Sequence, residues 1–220
     1  MRGQRALVIF GLVLSEGAFG CSRASQAGAG LRQQVTYDET TGKLSRIASD
    51  LNRNGTPDTW TYMDGTRALR SEQDQDEDGQ IDRWEYNRPD GSIVKVAVSQ
   101  RKNGRPDTWT YPDAQGRPAR IEYSDTGDEA KVNHREYYEA GRLVRVEEDT
   151  DGDGKIDKWE SYDGPAIVST EFDLDKDGRP DERLTFDRAG TMVSTETVPD
   201  GRGGYVRKVI SGGVGRHEGP

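Results

Sequence analysis

Residues Asp149–Gly164 read DTDGDGKIDKWESYDG. The stretch joins three local signals. Asp149, Asp151 and Asp153 alternate with small residues, so their carboxylates can converge on one point of a tight turn, and Gly154 permits the bend that follows. From Asp157 the sequence turns aromatic, which is the composition of a β-strand. Asp163-Gly164 then offers the positive φ that a two-residue hairpin needs. An acidic loop, an aromatic strand, a tight turn and an aliphatic return strand together make one unit.

The unit repeats. Aligning the loop glycines gives Gly55, Gly79, Gly104, Gly154, Gly178 and Gly201, with Ala130 in the one missing place. The aromatic strands DTWTY (Asp58–Tyr62), DRWEY (Asp82–Tyr86) and DTWTY (Asp107–Tyr111) alternate strictly, which puts Trp and Tyr on one strand face. DKWESY (Asp157–Tyr162) keeps the Trp and moves the Tyr by one, and Arg135 and Arg183 stand in the Trp place of two further units. Turn signals follow at Asp64-Gly65, Asp90-Gly91, Gln115-Gly116, Ala140-Gly141 and Ala189-Gly190. Val94, Val96 and Val98, then Ala119, Ile121 and Tyr123, then Val144 and Val146, alternate with charged residues in the return strands. Val35–Ile47 reads as a first hairpin. No apolar period of 3.6 residues is present.

These signals predict an all-β antiparallel meander of repeated hairpins, a unit of ~24 residues, joined by D-x-D-x-D-G loops, with stacked neighbours making one continuous apolar face. Composition agrees with a thin structure. Among 220 residues only 31% are apolar, 32% are charged, and mean hydropathy is -0.96. Six or seven such units would make about three four-stranded blades, short of a closed propeller. Whether the sheet stays open, coils or folds over is not legible from the pattern.

The net charge of -9 opposes nucleic acid as a partner, since phosphates need a basic surface. The aspartates fall in spaced clusters rather than a tail, so the counter-charge they call for is a cation. Ca²⁺ takes six to eight oxygens and suits clustered carboxylates. Counting from the first Asp, positions one, three, five and nine are Asp149, Asp151, Asp153 and Asp157; Asp74, Asp76, Asp78 and Asp82; and Asp173, Asp175, Asp177 and Asp181. Position seven would supply a backbone carbonyl, from Lys155, Gln80 and Arg179. Asp50, Asn52, Asn54 and Asp58 form a lower-charge copy expected to bind more weakly. The segments Ser99–Asp107, with Arg101 at position three, and Asp125–Asn133, with Gly127 there, are expected to bind little. Asp and Asn before Gly also form turns without any metal, so the metal reading leans on three full copies in register.

The loop core resembles the EF-hand loop, and Glu85 and Glu160 stand where that family places its bidentate glutamate. The flanks read as strands, however, so the arrangement is more similar to the calcium-binding repeats of thrombospondin type 3 and to acidic-repeat lipoproteins of bacteria. That resemblance spans roughly Asp50–Asp181 and implies structural Ca²⁺.

The N-terminus carries a second signal. Arg2 and Arg5 precede the apolar run Ala6–Leu14, too short to span a bilayer stably, and then AFGC ends at Cys21, the chain's single cysteine. This resembles the lipobox of bacterial lipoproteins, although Ala18 replaces the usual Leu, Phe19 is bulky and Glu16 is close; an ordinary secretory signal is the alternative. It implies a signal peptide over 1–20, lipidation of Cys21, a tether over 21–33, a repeat domain over 34–210 and a tail over 211–220, in an envelope-anchored, periplasmic or surface protein. A single cysteine permits no internal disulfide.

Function therefore reads as a structural or adhesive calcium-binding repeat protein. One alternative is a cell-wall glycan module using Trp60, Trp84, Trp109 and Trp159, whose W-x-Y units loosely resemble choline-binding repeats; the other is a MORN-like scaffold for an envelope protein. The plainer reading of the four rings is that they fill the apolar face. Catalysis has little basis: His134 and His217 have no zinc spacing and read as solvated, and neither a G-x-S-x-G nor a phosphate-binding loop occurs.

Overall fold

A computed structural model of the chain describes residues 32–197 and 206–209. The proposed signal peptide, Cys21, the loop at Gly201 and the tail lie outside the described residues. The strands are β1 (Arg32–Tyr37), β2 (Leu44–Asp50), β3 (Thr59–Asp64), β4 (Arg67–Gln73), β5 (Arg83–Asn87), β6 (Ile93–Val98), β7 (Thr108–Pro112) and β8 (Pro118–Tyr123). They continue as β9 (His134–Glu139), β10 (Arg142–Glu148), β11 (Lys158–Asp163), β12 (Ala166–Phe172), β13 (Glu182–Phe186), β14 (Met192–Thr197) and β15 (Val206–Val209). The expected first hairpin is β1–β2, and its strand opens at Arg32, two residues inside the span assigned to the tether.

All fifteen strands form one antiparallel sheet in strict chain order, and each contacts only its sequence neighbours. The described sheet is therefore an open single layer, neither closed nor folded back on itself. Stability in such an array is close to a sum of nearest-neighbour terms. The turns are those the sequence signals: Ala140 and Gly141 both hold positive φ, at 51° and 80°, joining the paired residues Glu139 and Arg142 as a type I′ turn requires.

The register corrects one expectation. One cross-strand row runs Ala48, Trp60, Glu72, Trp84, Ala97, Trp109, Glu122, Arg135, Glu147, Trp159, Glu171, Arg183 and Glu196. Val96, Ile121 and Val146 pair into the row on the other face, with Thr110, Glu136 and Glu160. The apolar residues are thus divided between two faces and form no continuous apolar face. The reason is the pairing: each aromatic strand sets its Trp opposite Glu or Ala, so the aliphatics one residue away fall on the opposite side.

The core is correspondingly thin. Trp109, 2% exposed, packs with Ala97 and Val132, and Trp84, Tyr86 and Tyr111 flank them. Elsewhere cross-strand pairs take over. Arg70 lies 4.2 Å over the Tyr62 ring, Arg120 4.2 Å over Tyr111 and Lys95 4.9 Å over Tyr86. Arg135, in a Trp place, pairs with Glu122 at 3.5 Å and Glu147 at 3.8 Å, and Arg183 pairs with Glu171 at 3.4 Å. On the other face His134 is half-buried, with Nδ1 3.0 Å from Glu148 and Nε2 3.4 Å from Glu136, so it is not a free solvated side chain.

Candidate metal centres

Because the chain meanders, every loop leaving an even-numbered strand falls on one edge of the sheet and every tight turn on the other. The edge of interest carries loops beginning at Asp50, Asp74, Ser99, Ser124, Asp149 and Asp173. Their shared shape comes from side chains taking over backbone donors. In the Asp149 loop, Asp149 Oδ2 accepts the Gly154 amide at 2.8 Å, Asp151 accepts that of Asp153 at 3.1 Å, and Asp153 accepts that of Lys155 at 2.9 Å. Asp157 closes the loop by accepting the Thr150 amide at 3.0 Å. The same bonds recur from Asp50, Asn52, Asn54 and Asp58, and from Asp173, Asp175, Asp177 and Asp181. Asx side chains bonding amides two residues on are ordinary turn chemistry.

The structure brings three carboxylate groups together: Asp74, Asp76 and Asp78; Asp149, Asp151 and Asp157; Asp173, Asp175 and Asp181. In each, one oxygen per residue lies within 4.8 Å of the others, a spacing that one cation can bridge. Of the remaining predicted ligands, Asp82 is held by the amides of Gln75 at 2.8 Å and Asp76 at 3.3 Å, and Asp153 and Asp177 by those of Lys155 and Arg179. The Gln80, Lys155 and Arg179 amides all donate to the preceding position-five carboxylate. The Asp50 loop gathers no such trio; Asn52 and Asn54 both donate their side-chain amides to Glu77 of the next loop. Glu85 bonds Arg83 at 2.7 Å and Glu160 pairs with Lys158 at 2.8 Å, and neither belongs to a converging carboxylate group.

The loop expected to begin at Asp125 begins at Ser124. Ser124 Oγ accepts the Asp128 amide at 3.3 Å, as Ser99 Oγ accepts that of Asn103 at 3.1 Å, and the Asn133 side chain closes it on the Asp125 amide at 3.0 Å. The serine opening Ser99–Asp107 was the available signal; the adjacent aspartate masked it.

Two features escaped the sequence reading. The first is at Asp74, which is 6% exposed. Its Oδ2 accepts the Gly79 amide at 2.9 Å, but its Oδ1 is buried without a hydrogen-bond partner. A buried carboxylate oxygen left unpaired is costly, and a cation would satisfy it. The second is position four. Arg53, Glu77, Lys102 and Lys176 all hold positive φ there, where the Ser124 and Asp149 loops use Gly127 and Gly152. A left-handed non-glycine residue costs roughly 1 kcal/mol. Three of these side chains reach back into the preceding loop: Glu77 to Asn52 and Asn54, Lys102 Nζ to Asp76 Oδ2 at 2.7 Å, and Lys176 to Asp151 and, at 3.6 Å, Asp153. The hydrogen bond from Lys102 holds the Asp76 carboxyl below the usual range, and that from Lys176 does the same for Asp151.

No protein-family model matches this sequence, nor does any curated protein. Among solved structures, the chain is similar at 17% identity and a TM-score of 0.27 to one titled accessory secretory protein 1, 2 and 3 in Streptococcus pneumoniae, over 53% of this chain and 19% of that one. A porin-like protein from Bacteroides uniformis aligns at 12% identity and a TM-score of 0.18, over 81% of this chain and 86% of that one.

Proposed function

We propose that the chain is a calcium-binding β-repeat protein of the cell envelope, anchored through lipidated Cys21, in which Ca²⁺ in the Asp74, Asp149 and Asp173 loops stiffens one edge of an open sheet. The observation that carries the reading is the convergence of three carboxylate trios on that edge, one of them with the buried, unpartnered Asp74 Oδ1. A single layer with so small a core has little else to fix the angle between hairpins. An ion bound only by the folded loops stabilises them by mass action, about 1.4 kcal/mol per site at ten times Kd, and loops of this kind outside the cytosol bind at ~10⁻⁴–10⁻³ M. The role that follows is structural or adhesive, with an envelope protein as the partner class.

The test is thermal unfolding in chelator and in millimolar Ca²⁺, together with calorimetric titration. A rise in the midpoint with Ca²⁺ supports the reading; an unchanged midpoint and a flat isotherm sink it. Anchoring is tested separately: Cys21→Ala should release the chain from the membrane fraction, and retention there would remove the lipid anchor from the reading.

A further inference from the structure

Two of the three carboxylate groups are entered by a lysine from the following loop. Lys102, left-handed at position four of the Ser99 loop, extends across the edge and places Nζ 2.7 Å from Asp76 Oδ2. Asp76 is one of the three residues whose oxygens converge in the Asp74 loop, and its Oδ1 is engaged by the Asp78 amide at 3.4 Å. The lysine is therefore paired with one of the three carboxylates that a metal ion would draw on. Behind it Asp74 Oδ1 remains buried and unpartnered, out of the ammonium's hydrogen bonding. The Asp149 loop receives Lys176 in the same way, whereas the lower-charge Asp50 loop receives the acid Glu77. Position four is thus a lysine where the loop it enters carries acids at positions three and five, and a glutamate where that loop carries asparagines there.

We propose that Lys102 is a tethered counter-cation for the Asp74 loop, which a divalent ion must displace, so that ion binding there breaks the bridge between the Asp74 and Ser99 loops. The proposal rests on the calcium reading above and adds a regulator to it. The lysine neutralises the trio when the ion is scarce and sets the concentration at which it enters. Its ammonium is a point charge on a flexible stem, well suited to leaving. The side chain is 63% exposed, so its departure is opposed only by a surface ion pair, and the handicap it imposes is modest. Loss of the competitor and of its repulsion for the incoming ion corresponds to a gain in affinity of about three- to tenfold.

The experiment is a Ca²⁺ titration of the full chain, of Lys102→Met, of Lys102→Arg, of Asp76→Asn and of the Lys102→Met/Asp76→Asn double variant. Asp76→Asn is expected to remove one binding step, which identifies the site. Lys102→Met is expected to strengthen that step three- to tenfold, Lys102→Arg to leave it near the native value, and the double variant to show no gain over Asp76→Asn alone. If Asp76→Asn removes a step but Lys102→Met leaves its affinity within twofold of native, the tethered-cation proposal fails and the calcium reading stands. A gain that persists in the double variant also overturns it, because the effect is then general charge. If no variant binds Ca²⁺ at about 10 mM, above the range for such loops, both fall. Thermal midpoints of all five proteins in chelator verify that each is folded.

Discussion

The Asp74 and Ser99 loops are neighbours on one edge and have the same shape, yet one carries four aspartates and the other only its closing Asp107. In both, the position-five side chain accepts the position-seven amide, at 2.8 Å from Gln80 to Asp78 and 3.1 Å from Arg105 to Asn103. In both, a buried aspartate closes the loop: Asp82 takes the amides of Gln75 and Asp76, and Asp107 takes those of Gln100 and Arg101. The charge difference lies at positions one, three and five. Ser99 meets its loop's needs with one hydroxyl, while Asp74 brings a second oxygen that finds no partner; Arg101 reaches out to Asp125, while Asp76 turns toward the trio. The comparison separates two jobs. Oxygens at positions one, five and nine accept loop amides in both, and what the Asp74 loop adds is negative charge at positions one, three and five.

The largest effect should strike both loops alike. Asp82→Ala and Asp107→Ala each leave two amides without their charged acceptor, a loss of about 2–4 kcal/mol in urea unfolding, with or without Ca²⁺. A loss confined to one loop would break the shared-scaffold account. Next, Asp74→Ser copies the Ser99 loop. It should cost less than about 0.5 kcal/mol in chelator and remove about 1.4 kcal/mol of the stabilisation gained at ten times the Kd for Ca²⁺. A large cost in chelator would show that the acid is needed for folding. The converse double variant, Ser99→Asp with Arg101→Asp, should add a weak binding step to the Ca²⁺ isotherm, seen as one further site in calorimetry; no added site would mean that something besides acid at these positions is required.

The smallest effect is expected on the opposite edge, where turns carry no trio. The Arg117 amide at 2.9 Å, aided by its guanidinium, holds the Asp113 carboxyl below its ordinary range. A lowered carboxyl contributes stability above the unfolded value of about 3.8 and loses it as pH falls through the folded value. The midpoint difference between the native chain and Asp113→Asn should therefore be present at neutral pH, shrink as pH falls below the unfolded value, close once pH has passed the folded value, and be the same in chelator and Ca²⁺. A difference that grows on acidification would reverse the sign argued here. Alkali offers the mirror case: burial and the bond from Tyr138 to Glu136 at 2.6 Å push that phenol up, as burial and Glu160 do for Tyr162.

Much of this molecule was legible one short window at a time. Strand alternation, turn glycines and the D-x-D-x-D-G spacing are local, since each rests on contacts among residues a few positions apart, and the meander follows from joining them in order. The Ser124 start was the local reading that failed, because Asp125 is a stronger turn former by composition than the serine that does the work. What no window contains is the partner across a strand or across a loop. Register decided that Trp109 faces Ala97 and Glu122 while Val96 and Ile121 look the other way, and a shift of one residue would have reversed it. The reach of Lys102 to Asp76 spans 26 residues of chain and exists only because successive hairpins stack their loops side by side. Sequence alone determined the turns and the acids they carry; the tertiary structure decided which charges meet, because pairing between strands is a non-local choice of register and spacing.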